Sequence, residues 1–255
     1  MIVLGVINLA LLLISLKFII PKEFYQKKDK QIFQTIRKHL PFLLIIFGVV
    51  ALHLIEVNLI DPHVTEWVGH DFANEIKGIE GDTVYWFSQN WTPILVYFFV
   101  IMYIAVYPFT LWFAPTYFLL LNKKKSMKTL AYGLLLIYVI ALPFYLFMPI
   151  TNVYTHYNVS SALETVIPSV ESFFYSTTTQ NNCLPSLHTA MTILIAYSVS
   201  LTGNKKLTYF AYFTMIAVII SVIYLSIHWI TDVIAGALLA VGVIFILRRF
   251  MREDE

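Results

Sequence analysis

The chain has 255 residues, of which 59% are hydrophobic, 16% aromatic and only 13% charged, with a formal net charge of +2. A water-soluble domain of this length has no use for that much apolar surface, so the composition excludes a soluble globular protein and predicts a polytopic membrane protein. Cys183 is the single cysteine, which excludes an intramolecular disulfide; packing as a small hydrophobe is its expected role.

A hydrocarbon core about 30 Å thick takes about 20 helical residues at roughly 1.5 Å each. Runs of that order fall at Ile2 to Ile20, Leu40 to Ile60, Ile94 to Leu121, Thr129 to Ile150, Leu184 to Leu201, Leu207 to Ile227 and Trp229 to Leu247. They predict an all-α membrane helical bundle of about six to seven transmembrane helices. The first run has no basic stretch before it and no small-residue cleavage site after it, so it reads as a retained helix. Residues 1–255 form one expected membrane domain: N-terminal helices over 1–60, an outer interfacial segment over 61–93 and a catalytic core over 94–255. The interfacial segment mixes acids with Trp67, Trp86 and Trp91, which suits helices lying at headgroup depth. Thr151 to Asn182 is polar and predicts a cap over whatever follows it.

Of the 17 Lys and Arg residues, all but Lys17 and Lys77 fall in four clusters: Lys22 to Lys38, Lys123 to Lys128, Lys205 to Lys206 and Arg248 to Arg252. Lys17 ends the first run and joins the first cluster. The positive-inside rule then places the N-terminus outside and the C-terminus in the cytosol. Basic clusters in such positions flank spans, so no nucleic-acid partner is expected.

Two motifs carry chemistry. In Cys183-Leu184-Pro185-Ser186-Leu187-His188, Pro185 precedes an apolar run and suits a helix start, where amides around Ser186 to His188 would face an anion such as phosphate. In Tyr224-Leu225-Ser226-Ile227-His228-Trp229-Ile230-Thr231-Asp232, His228 and Asp232 are four apart, so on a helix the carboxylate can hold one imidazole nitrogen and leave the other free. The predicted topology brings His188, His228 and Asp232 to one outer face. His53 and Glu56 also share a helix face near an outer end, where interfacial packing is the expected account. Lys77 is expected as a solvated surface charge, and the aromatic residues from Tyr97 to Trp112 as lipid-facing or packing groups.

These motifs resemble the type 2 phosphatidic acid phosphatase superfamily. Pro185-Ser186-Leu187-His188 matches its second signature, and Ser221, His228 and Asp232 occupy its third. The run from Tyr224 to Gly236 is similar to the inositol phosphorylceramide synthase and sphingomyelin synthase branch. The pattern departs at Val222, which stands where the third signature has arginine, and the basic first signature is missing. The resemblance implies His188, His228 and Asp232 as catalytic residues and Pro185, Ser186, Leu187 and Tyr224 as substrate-binding ones. It also implies a lipid phosphotransferase working through a phosphohistidine, with no metal and no cofactor. His228 would attack phosphorus, Asp232 would fix its tautomer, and His188 would act as acid and then base. Partners would be a lipid phosphate or phospholipid, surrounding membrane lipids, and a polyol or other alcohol acceptor; with water as acceptor the same site is a lipid phosphate phosphatase. A transporter, or a non-catalytic lipid-binding protein, is the competing class. The lack of charged mid-membrane residues speaks against the transporter, and the intact His188, His228 and Asp232 set against the non-catalytic protein.

Overall fold

The computed structural model describes residues 2–21, 29–168, 170–175 and 177–252, and among them the protein is all-α. Lys22, Lys27 and Lys28 of the first basic cluster lie outside the described residues. Helix α1 covers Ile2–Phe18. Helix α2, Asp29–Ile55, runs through a π-turn at Glu56–Ile60 into α3, Asp61–Val68. Short helices α4 (Ala73–Glu80) and α5 (Thr83–Gln89) follow. Helix α6 begins with Pro93 in its first turn, where proline's missing N–H is harmless; it spans Pro93–Ile101 and passes through a π-turn at Met102–Val106 into α7, Tyr107–Leu120. Helix α8 is Lys124–Phe147, and α9 (Val153–His156), α10 (Ala162–Val166) and α11 (Val170–Phe174) are short. The chain closes with α12 (Leu187–Ser200), α13 (Lys205–Tyr224) and α14 (Ile230–Arg252).

Among the described residues, five helical stretches are long and apolar enough to cross a membrane: Phe33–Val68, Pro93–Leu120, Lys124–Phe147, Lys205–Tyr224 and Ile230–Met251. The other two predicted runs form shorter apolar helices, at Leu4–Phe18 and Leu187–Ser200. With 14 residues, α12 is about 21 Å long, less than a bilayer core. It lies inside the bundle, packed against α8, α13 and α14, with Ala190, Leu194 and Val199 buried. Exposed Leu13, Leu44, Phe47, Ile216, Leu238 and Phe245 form an outward apolar surface suited to acyl chains.

Two helix boundaries differ from expectation. The helix of the second run continues past Ile60 to Val68, because the π-turn carries it on without a break. His228 is not helical: α13 stops at Tyr224 and α14 starts at Ile230. The stop is a Schellman-type turn, in which Ser226 N–H bonds the Ile223 carbonyl at 3.0 Å and Ile227 N–H bonds the Val222 carbonyl at 2.9 Å. Ser226 takes the left-handed position, φ 57°, normally left to glycine. Its cost is offset by bonds to the surrounding cap: Ser226 Oγ donates to the Val84 carbonyl at 3.3 Å, and Tyr154 N–H donates to the Ser226 carbonyl at 3.0 Å.

At the opposite end the basic loops meet. Lys123 Nζ donates to the Thr202 carbonyl at 2.8 Å, and Asn204 Nδ2 reaches the Ile19 carbonyl at 3.0 Å.

Candidate active site

His188 lies in the first turn of α12, where Ser186 is the N-cap: its Oγ accepts from Thr189 N–H at 3.3 Å. The Ser186 N–H bonds the Asp232 carbonyl at 3.0 Å, tying the start of α12 to the first turn of α14. A Cβ on Gly236 would collide with the Ser186 carbonyl, so glycine is what lets α14 come this close. The loop after α13 delivers His228, whose N–H bonds the Val222 carbonyl at 3.0 Å. Asp232 sits two residues into α14 and reaches back across the helix start, accepting from Trp229 N–H at 2.9 Å, as an acidic third residue does in a capping box.

These pieces place His228 Nδ1 3.3 Å from Asp232 Oδ2 and His228 Nε2 3.3 Å from His188 Nδ1. The Tyr103 hydroxyl lies 3.0 Å from His188 Nε2. One proton assignment satisfies the whole chain: Tyr103 O–H donates to His188 Nε2, His188 Nδ1–H to His228 Nε2, and His228 Nδ1–H to the carboxylate. His228 then presents a lone pair at Nε2, backed by a negative charge. His228 and Asp232 are buried, while His188 is half-buried and opens onto a cavity of about 500 Å³.

The cavity's lining includes Leu187, His188 and His228. Pro185, Ser186 and Tyr224, the other three expected substrate-binding positions, are not on its wall. Pro185 accepts a bond at its carbonyl from the Tyr145 hydroxyl at 2.6 Å, and Ser186 is spent on capping. The Tyr224 hydroxyl accepts from Thr92 N–H at 2.9 Å, and its carbonyl accepts from Trp91 Nε1 at 2.8 Å; it fastens α6 to α13. The amide array foreseen for phosphate is likewise partly used, since the Ser186 N–H is bonded. Val222 is fully buried in the core and contributes its carbonyl, not its side chain.

Other groups were not legible from spacing. Tyr103 and Tyr107, expected to pack or face lipid, are buried against His188, with ring centroids 4.8 and 5.4 Å away. The Glu80 carboxylate accepts from the N–H groups of Ile230 and Thr231, so it occupies the positive end of α14. Lys77 lies 3.9 Å from Asp82 on the surface, outside the cavity. Cys183, His228 and Asp232 bring a sulfur, a nitrogen and an oxygen within 4.8 Å of one another, a donor set able to ligate a metal ion. Burial, followed by the nearby Asp232 and Asp71 charges, holds the Cys183 thiol well above its usual range, which opposes the thiolate such an ion would need.

A model of the PAP2 superfamily matches residues 82–246, well over half of the chain. The chain belongs to the PAP2 superfamily. The match takes in both histidine motifs and leaves α1 to α4 outside it. No curated protein and no solved structure matches the chain. Membership and the long apolar helices together make it an integral membrane protein with a fold suited to lipid phosphatase or phosphotransferase chemistry.

Proposed function

We propose that the protein is a metal-independent membrane lipid phosphotransferase of the inositol phosphorylceramide synthase type, moving a phosphoryl-containing headgroup from a lipid donor to an alcohol. The observation that carries this reading is the 3.3 Å approach of His228 Nε2 to His188 Nδ1 at the wall of a largely apolar cavity, with Asp232 behind. His228 Nε2 attacks phosphorus and the bond to the leaving oxygen breaks; that oxygen takes the Nδ1 proton of His188 in its imidazolium form, with Nε2–H turned to the Tyr103 oxygen, which leaves His188 neutral. His188 then accepts the proton of the incoming hydroxyl as its oxygen attacks phosphorus, and His228 departs as neutral imidazole. Asp232 stabilises the cationic ring formed between the two steps, as in other nucleophile–base–orienter sets. A substrate must part the two rings to reach Nε2.

Transfer from a diester is favoured over hydrolysis of a dianionic monoester because no lysine or arginine among the described residues lines the cavity. A diester carries less charge and needs less cationic help. The charge pattern of the loops supports an outer or lumenal face for this site.

The test is a panel of lipid phosphates and phosphodiester headgroup donors given to the purified protein with and without polyol acceptors. New headgroup lipid is the expected product. Free phosphate from phosphatidic acid, with every diester ignored, would replace the transferase reading by a phosphatase one.

A further inference from the structure

The same cavity holds a second histidine–carboxylate pair. His53 lies on its wall together with His188 and His228. Glu56, one turn along the helix and at the start of the π-turn, is fully buried, with Oε2 3.5 Å from His53 Nδ1. Its remaining partners are neutral: Asn182 Nδ2 donates to Oε1 at 2.9 Å and the Tyr138 hydroxyl to Oε2 at 3.3 Å. A buried carboxylate is costly without a counter-charge, and the ion-pair partner here is His53.

The other nitrogen of His53, Nε2, lies 3.1 Å from the Thr177 carbonyl. Nε2 therefore carries the proton that this bond needs, while Nδ1 stands at ion-pair distance from Glu56 without a hydrogen bond, placed so that the carboxylate favours a second proton on the ring. The ring is 28% exposed at its side chain, open enough for an anionic oxygen to take the place of the carbonyl. Interfacial packing, the account expected from sequence, leaves the burial of Glu56 unexplained. π-turns recur at functional sites, and this one is where the pair is built.

We infer that His53, held by Glu56, is the cationic group that binds the substrate's phosphoryl oxygens in a cavity whose described lining holds no lysine or arginine. The inference rests on the phosphotransfer reading for its substrate but makes a separate claim, an anion site on α2 outside the family-matched region. His53 would touch the substrate; Glu56 is a positioning residue acting through it.

The test uses the full chain in lipid nanodiscs, with orthovanadate affinity measured by titration calorimetry alongside KM and kcat for a lipid donor. His53→Gln is expected to weaken vanadate binding about tenfold or more, the loss of one charge-assisted bond, and to raise KM by a similar factor with kcat nearly unchanged. His53→Arg, which keeps the cation, restores both. Glu56→Gln gives the same direction with a smaller loss; if it does not fold, the His53 variants alone decide. Unchanged vanadate affinity in His53→Gln, a loss that arginine does not restore, or no vanadate binding by the unmodified protein would overturn the inference. Vanadate binding that depends on His53, in a protein that turns over no lipid phosphate, would uphold the anion site and defeat the phosphotransfer reading.

Discussion

Two histidine–carboxylate pairs border one cavity, and they differ in what the second ring nitrogen meets. His228 is 3.3 Å from Asp232 and turns Nε2 toward another imidazole, a partner able to donate. His53 is 3.5 Å from Glu56 and turns Nε2 toward a carbonyl, which can only accept. A carboxylate behind an imidazole thus has two uses. In the proposed account, the pair whose far nitrogen can keep a lone pair serves as nucleophile, and the pair whose far nitrogen must donate serves to bind an anion. The spacing in sequence, four residues against three, does not separate these duties.

The largest expected effect breaks the first pair. His228→Ala should lower turnover of any accepted lipid donor by about 10,000-fold or more, since the nucleophile itself is lost. Residual turnover near the unmodified rate would remove His228 from the reaction. Next is His188→Ala, expected to cost about 100- to 10,000-fold on a natural donor but much less for formation of the first intermediate from a donor with a low-pKa leaving group. Equal losses on both donors would contradict the acid–base assignment.

The helices and the first pair were legible in the sequence for different reasons. Seven apolar runs stand out because membrane thickness sets a length, and the two motifs mark His188, His228 and Asp232, which the structure brings together. Pro185, Ser186 and Tyr224 belong to the same motifs, yet spacing says nothing of which side of a turn meets the cavity. Tyr103 reaches His188 across 85 positions, Asn182 reaches Glu56 across 126, and Glu80 reaches Ile230 across 150. Contacts at such separations follow from packing of whole helices, and no local pattern announces them. The burial of Glu56 is not legible either, because the π-turn, which lets the helix continue, leaves no mark in residue order.

The smallest expected effect concerns a motif residue on neither pair. Tyr224→Phe removes the Thr92 bond and should cost about 0.5 to 1.5 kcal/mol of stability, seen as a lower unfolding temperature, while KM and kcat stay as they were. A change in KM instead would return Tyr224 to the substrate site.

The division of labour between the two pairs is tested most directly by trapping the phosphorylated residue. The His188→Ala variant, given a donor with an activated leaving group and a radiolabelled phosphoryl group, lacks the base for the second step and should accumulate the intermediate. The account predicts acid-labile label on the peptide carrying His228, and none when His228→Ala is added. Label on the His53 peptide, or a stoichiometric burst of leaving group with no labelled histidine, would contradict it.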